Sequence, residues 1–397
     1  MNSKITQPDV QHFIFGNTDT DLPSLSLKKS PFGEISMPEI MQQLESRKKA
    51  QKKLPSWYGS MGIYYPPRLS MEQSSSEKTA MYKAGLADGK TLIDLTGGLG
   101  VDCYYFSRKF ESVTHCEMNR ELSAIATHNF GILGADNILT VEGNGVDYLL
   151  REGHRYDWIY ADPSRRHDHK GKVFMLGDCT PDIPSLLPQL FAHTGNILVK
   201  TSPLLDISSG LRELPGTREI HIVAVNNEVR ELLWVLKKDF NGPCHIHTIN
   251  YSTNGEQRFG FDRERENILA ESHNLPQTFL YEPNAAIMKS GGFRSLSAKT
   301  GFSSLHRHSH LYTSGQHIPD FPGRAFRIRE IIPYKDKKLL RTAWKDKKAH
   351  ITTRNFPESV EQLRKKFCIR DGGTSFIFFT IDRNNEKTVL VCDKLYS

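Results

Sequence analysis

Thr91-Leu92-Ile93-Asp94-Leu95-Thr96-Gly97-Gly98-Leu99-Gly100-Val101-Asp102 is an apolar strand that runs straight into a glycine-rich turn. Glycines at such a point let the backbone approach a ligand with no Cβ in the way, and a helix starting near Val101 aims its N-terminus at the same place. The stretch therefore predicts a nucleotide-type ligand at the strand's carboxyl end. Taken alone, it admits any nucleotide cofactor, and the choice lies with the residues around it.

Downstream of this turn, strands and helices alternate. Apolar strands read at Thr91–Leu95, Ser112–Glu117, Ile138–Glu142, Trp158–Ala161, Asn196–Lys200, Glu219–Val225 and Glu231–Leu236, with helical stretches between most of the first five. Such alternation implies a parallel sheet covered on both faces. The linker around Asn226-Asn227-Glu228 is too short for a crossover, so the last two strands form an antiparallel hairpin. Upstream, Met37, Ile40, Met41 and Leu44 recur at helical spacing ahead of a basic end at Lys48–Lys53, and Pro66-Pro67 enforces an extended path. Ser74-Ser75-Ser76-Glu77 opens a helix that continues to Leu86. Trp57, Tyr58, Tyr64 and Tyr65 are expected to pack this segment onto its neighbour rather than to stack on bases.

The chain is 397 residues long, more than one ordinary core accommodates. The expected division is a helical N-terminal segment over 1–74, a nucleotide-binding domain over 75–240, a small α+β linker domain over 241–322 and a basic α+β domain over 323–397. No apolar run reaches membrane-spanning length and the N-terminus lacks a secretion signal, so a cytoplasmic protein is expected. Six scattered cysteines with no C-x-x-C argue against a zinc ribbon or a disulfide framework. His306, His308 and His310 would share one face if extended, as would His167 with His169 and His245 with His247. Without cysteines or clustered acids, however, no metal is expected.

The net charge of +7 is unevenly placed. Between Arg324 and Arg370 lie fifteen Lys or Arg against five acids, a net +10 that leaves the rest of the chain at −3. Segregated positive charge suits a polyphosphate partner, because each neutralised phosphate releases counterions.

The chemistry-bearing residues refine the ligand. Asp94 precedes Gly98 by four residues, and Cys103 stands where a dinucleotide fingerprint has its third glycine, which disfavours a nicotinamide cofactor. Glu117 closes the second strand 19 residues after Gly98, where an acid accepts hydrogen bonds from ribose hydroxyls. Glu142-Gly143-Asn144 follows the third strand, and Asp162-Pro163-Ser164-Arg165-Arg166 the fourth. A cysteine nucleophile near the sheet's carboxyl edge is missing from Lys200-Thr201-Ser202-Pro203-Leu204, and Cys179 is the only loose candidate.

This ordered set resembles class I S-adenosylmethionine-dependent methyltransferases over roughly residues 75–240. Asp94 to Gly100 is similar to the family's first motif, Glu117 to its ribose-binding acid, Asn144 to its adenine-side position and Asp162-Pro163 to the start of its catalytic loop. The closing hairpin is similar to the reversed last strand of that Rossmann-like sheet. More narrowly, Pro66–Glu77, Asp162–Arg166 and Tyr281-Glu282-Pro283-Asn284 resemble a bacterial group of methyltransferases with a THUMP-like C-terminal domain. The resemblance implies S-adenosylmethionine as cofactor, held by Asp94, Thr96, Gly97, Gly98, Gly100, Asp102, Glu117, Met118 and Asn144. It implies catalytic roles for Asp162, Pro163, Arg165 and Arg166, and RNA as partner through residues 324–370. In the related D-P-P-Y motif, the acid and a backbone carbonyl hold an exocyclic amine and an aromatic stacks on the base. Ser164 and Arg165 replace the second proline and the aromatic here, so the atom methylated stays open. Two other readings also stay open: an RNA-binding protein that has lost catalysis, and a methyltransferase of a small-molecule or protein substrate.

Overall fold

The computed structural model describes residues 1–18, 20–165 and 175–395. Seven strands make the sheet expected from the sequence: β1 (Thr91–Asp94), β2 (Ser112–Glu117), β3 (Ile138–Glu142), β4 (Trp158–Ala161), β5 (Asn196–Thr201), β6 (Thr217–Val225) and β7 (Glu228–Lys237). Two further strands, β8 (His245–Ser252) and β9 (Gly255–Asp262), extend its hydrogen-bonded order to β9-β8-β6-β7-β5-β4-β1-β2-β3. β1 pairs in parallel with both β2 and β4, and β4 with β5. Central strands flanked in this way are buried on both faces, which is why Leu92, Ile93, Ile159, Tyr160, Leu198 and Val199 are at most 1% exposed. Asn226 and Asn227 at the hairpin's tip have φ of 51° and 62°. Two consecutive left-handed residues make a turn whose twist matches the strands it joins, and asparagine tolerates that backbone better than most side chains.

The chain clusters into two compact units, Met1–Thr217 with Leu233–Phe240, and Arg218–Leu232 with 241–397. In the first unit, the helix Met37–Lys53 starts with a full capping box between Ser36 and Glu39. Its buried Gln43 bonds both the N–H and the carbonyl of Tyr65, at 2.9 and 2.7 Å. A side-chain amide thus satisfies the backbone of the extended segment that Pro66 and Pro67 keep out of a helix. Asn129 does the same for Tyr64. Trp57, Tyr64 and Tyr65 are buried, and the Arg47 guanidinium lies over the rings of Phe15 and Tyr58, so these aromatics pack the segment. Residues 8–16 and 22–26 are also helical. Their short, proline-started runs give too little periodicity to read in sequence.

In the second unit, β8 runs parallel to β6 and β9 antiparallel to β8. A separate seven-stranded sheet holds β10 (Phe279–Pro283), β11 (Ser303–Ser304), β12 (Tyr312–Ser314), β13 (Gly323–Pro333), β14 (His350–Thr353), β15 (Ser375–Ile381) and β16 (Lys387–Leu395), in the order β11-β12-β10-β13-β16-β15-β14. Helices Lys337–Trp344 and Val360–Phe367 bury Leu340, Trp344, Leu363 and Phe367 against Ile332, Ile377, Phe379, Val389 and Val391. Each such side chain contributes roughly 1.5–3 kcal/mol when fully removed from water. Among the described residues, no helix is long and apolar enough to cross a membrane.

Candidate active site at the carboxyl edge of the sheet

Strands β1, β2, β4 and β5 deliver the residues singled out in sequence to one edge. The turn after β1 is held from below by His115, whose Nε2 lies 3.3 Å from the Gly98 carbonyl. A Cβ at Gly97 would fall 2.3 Å from that same nitrogen, and one at Gly100, where φ is +83°, would fall 2.3 Å from the Phe130 ring. Packing requires those two glycines. Gly98 differs, since its φ of +56° favours glycine but a Cβ there would meet nothing nearer than 3.9 Å. Its bare side therefore faces open space at the strand's end, where the backbone could lie against a ligand.

Glu117 ends β2 beside this turn. Its carboxylate accepts from Gly98 N–H at 2.8 Å and from Asn119 N–H at 2.7 Å. A carboxylate offers about four lone-pair sites, so two remain for further donors. Met118 next to it is 65% exposed, a large apolar side chain turned outward at the strand's end. Asn144 caps the helix Gly145–Glu152, its Oδ1 accepting from Val146 and Asp147 N–H, which leaves its amide N–H groups for a partner.

Asp94 has turned away from the open edge. It is 1% exposed, its Oδ1 accepts from the Thr96 N–H at 2.8 Å and hydroxyl at 3.2 Å, and its Oδ2 from the Cys103 thiol. Burial pushes its carboxyl up to about 7 and holds the Cys103 thiol well above its ordinary value. Cys103 at the third-glycine position is thus a hydrogen-bond donor to the strand-end acid. Thr96 passes this constraint onward, because its hydroxyl also accepts from the Asp162 N–H at 2.7 Å. Asp94 and Thr96 so fix the start of the Asp162–Arg165 segment beside the glycine turn.

Asp162 in turn pairs with Lys200, the penultimate residue of β5, whose side chain is 13% exposed. Sequence reasoning passed over this lysine. Its signal was there: β4 and β5 are neighbours, one followed directly by Asp162 and the other carrying a lone charge in an apolar run. Asp102, its side chain 11% exposed, accepts from Ser75 Oγ at 2.8 Å and Tyr160 OH at 2.9 Å, with Lys83 Nζ at 3.3 Å. Burial alone would raise its carboxyl, but the Lys83 and Lys200 ammonium groups outweigh that and hold it below the ordinary range. Its bonds tie the Ser74–Glu77 stretch to β4, a positioning role. The buried Lys83 is a second partner missed in sequence.

Pro163 is buried, and the exposed Arg165 lies in a two-residue ladder opposite Cys179. Cys179 itself is fully buried. Arg166, His167 and His169 lie outside the described residues. Residues 305–309 form a bend and turn, and His310 sits in the left-handed region against the Phe293 ring, so His306, His308 and His310 are not on one extended face.

The basic region also sorts by geometry. Arg324 and Arg354 both clamp Glu282, a carboxylate only 4% exposed, which accounts for the acid of the Tyr281–Asn284 motif. Arg329 pairs with Asp393, Arg364 with Asp371 and Lys366 with Glu358. The helix Lys337–Trp344 instead buries Leu340 and Trp344 and leaves Lys337, Lys338 and Arg341 exposed; Lys345, Lys347 and Lys348 follow, also exposed. Among the described residues, none of these six makes an ion pair.

Comparison with known proteins supports this architecture. A ferredoxin-like domain model matches residues 279–322, and a THUMP domain-like model matches 323–394. A crystal structure from Porphyromonas gingivalis W83, described as a candidate methyltransferase, is 31% identical, spans 100% of this chain and 99% of its own, and superposes with a TM-score of 0.88. A S-adenosylmethionine-dependent methyltransferase from Agrobacterium tumefaciens (15% identity, TM-score 0.31) and an rRNA methylase from Streptococcus thermophilus (12%, 0.30) each match 41% of this chain, covering 60% and 94% of their own. Likeness that slight carries no argument about function. No curated protein matches the chain. On its full-length likeness to the Porphyromonas structure, its strand order and its C-terminal match, the chain belongs to the class I methyltransferase family, in the bacterial group with a THUMP-like C-terminal domain.

Proposed function

We propose that this chain transfers a methyl group from S-adenosylmethionine to a base in structured RNA. The observation that carries the reading is the placement of Asp162, which Thr96 holds over the glycine turn and Lys200 balances in charge. The residues fit the cofactor: Gly98 presents bare backbone, Glu117 keeps lone pairs for two ribose hydroxyls, and Met118 and Asn144 flank the adenine side. Gly97, Gly100 and Asp102 shape that cradle, while Asp94 and Thr96 set its distance from the catalytic loop.

Bound there, the sulfonium supplies the methyl group, and in-line transfer depends chiefly on alignment of the acceptor. Asp162 accepts a hydrogen bond from the acceptor and orients it, and Lys200 neutralises the carboxylate in its half-buried setting. Pro163 fixes its own φ and so stiffens the loop. Arg165 and Arg166 stack on the base or grip its phosphate, as a guanidinium does equally well. The exposed cations between Lys337 and Lys348 give sequence-independent grip on the backbone.

The test incubates the full chain with labelled S-adenosylmethionine and total RNA from a strain lacking the gene, then maps the labelled nucleoside. Asp162→Ala is expected to lower transfer by about 10²–10⁴-fold while RNA affinity stays within about twofold. Label in protein or small molecules instead of RNA overturns the substrate, and absence of cofactor binding by calorimetry overturns the methyltransferase reading. Arg165 in place of the motif's aromatic favours one second reading, an RNA-binding chain without catalysis: intact cofactor and RNA binding with no transfer would establish it.

A further inference from the structure

Three strands of the second unit place a second set of chemical groups on one sheet face. β6 carries Glu219 and His221, β8 carries His245 and His247, and β9 carries Gly260 and Asp262. Alternate residues of a strand share a face. The register sets His245 opposite Glu219 and Asp262, and His247 opposite His221 and Gly260. All six positions therefore form one patch.

Within it, the Glu219 Oε2 lies 3.1 Å from His221 Nε2 and 3.9 Å from His247 Nε2. The His221 and His247 rings are stacked, with centroids 4.5 Å apart and planes 8° from parallel. We propose that Glu219, His221 and His247 form a binding site for a divalent transition-metal ion of the zinc class. One oxygen and two imidazole nitrogens, all within 4.8 Å of one another, make a set of three protein ligands with room for a fourth. Tetrahedral zinc–nitrogen and zinc–oxygen bonds place ligand atoms about 3.4 Å apart, so modest side-chain rotation closes the site.

The surroundings are those of a built site. The second Glu219 oxygen lies 2.9 Å from Arg218 Nε, an ion pair on the side away from the histidine contacts. His245 gives its Nδ1 to Asp262 at 2.8 Å, a carboxylate–histidine couple at the patch's edge. A Cβ at residue 260 would come within 3.0 Å of His245 Nε2 and 3.6 Å of His247 Nδ1, and glycine there keeps the space between the rings clear. His221 is buried, whereas the side chains of Glu219 and His247 are 26% and 40% exposed, which gives an ion a route in.

The site shares no residue with the carboxyl-edge set, and its test needs no methyl transfer. Full-length chain stripped of metal is titrated with Co2+, whose visible absorption reports low-coordinate nitrogen and oxygen ligation, and then displaced with Zn2+. One equivalent per chain is expected, with a higher melting temperature in Zn2+. Glu219→Gln and His247→Gln should each weaken binding at least tenfold, since each removes one of the three ligands. A His306→Gln, His308→Gln double variant should bind as the parent does. Because His247 is partly exposed, its variant keeps the test valid even if changes at buried His221 impair folding. Absence of stoichiometric binding, or binding unchanged in His247→Gln, would overturn the proposal and leave the patch a carboxylate–histidine stack.

Discussion

The turn after β1 and the helix Lys337–Trp344 handle charge in opposite ways. At the turn every acid has assigned donors: Asp94 is bonded to Thr96 and Cys103, Asp102 to Ser75, Tyr160 and Lys83, and Glu117 to two backbone N–H groups. On the helix, cations stand exposed without ion pairs among the described residues. Buried charge is tolerated only with partners, so the turn's residues are fixed in position and each can serve one atom of a ligand. Exposed charge costs little and can serve any phosphate. One region fixes its charges in place; the other leaves them exposed to solvent.

The hardest blow to that contrast is charge reversal on the helix. A chain with Lys337→Glu, Lys338→Glu and Arg341→Glu is expected to bind structured RNA roughly a thousandfold more weakly, with a visibly shallower dependence of log affinity on log salt. Cofactor affinity by calorimetry should be unchanged. Equal RNA affinity and equal salt slope in parent and variant would place the RNA elsewhere.

Titration of Asp94 sharpens the other side. Its carboxyl is raised to about 7 from an ordinary value of 3.8. The native state therefore holds a proton that the unfolded chain has already lost, and stability falls as pH rises from about 4 to 7. Asp94→Asn keeps an acceptor for the Thr96 N–H and removes that penalty. Denaturant titration should show the variant gaining up to about 4 kcal/mol at pH 8, and next to nothing at pH 3.5. A gain independent of pH would mean that Asp94 is not protonated in the fold.

The smallest effect separates two glycines within one turn. Gly98→Ala is expected to weaken S-adenosylmethionine about tenfold, with a stability cost near 1 kcal/mol from its positive φ. Gly100→Ala, whose Cβ would strike Phe130, should cost roughly 1–3 kcal/mol of stability. If both variants lose stability alike and bind cofactor alike, the open face at Gly98 is not where the ligand lies.

The strands from Thr91 to Leu236 were legible because parallel central strands are near-continuous apolar runs. β8 and β9 were not assigned to that sheet. Gly255-Glu-Gln-Arg-Phe-Gly-Phe-Asp262 is mostly polar, since it lies at the edge of the sheet and only one of its residues is buried. Likewise, the fifteen basic residues counted in sequence look alike, and only their neighbours show that Arg324 and Arg354 are spent on Glu282. Lys200 escaped notice because its partner Asp162 is 38 residues away.

What the sequence by itself determined is what depends on local order: the strand–turn–helix at Asp94 to Asp102, the acid closing β2, the Asp162-Pro163 loop and the reversed hairpin. Periodicity, caps and turns act within a few residues, so they can be read along the chain. Only the tertiary structure decided which charges meet. It buried Asp94, gave Asp102 to Ser75 and Tyr160 and Asp162 to Lys200, and set Glu219 and His221 beside His247. Those meetings depend on strand register between residues distant in sequence, which no local pattern encodes.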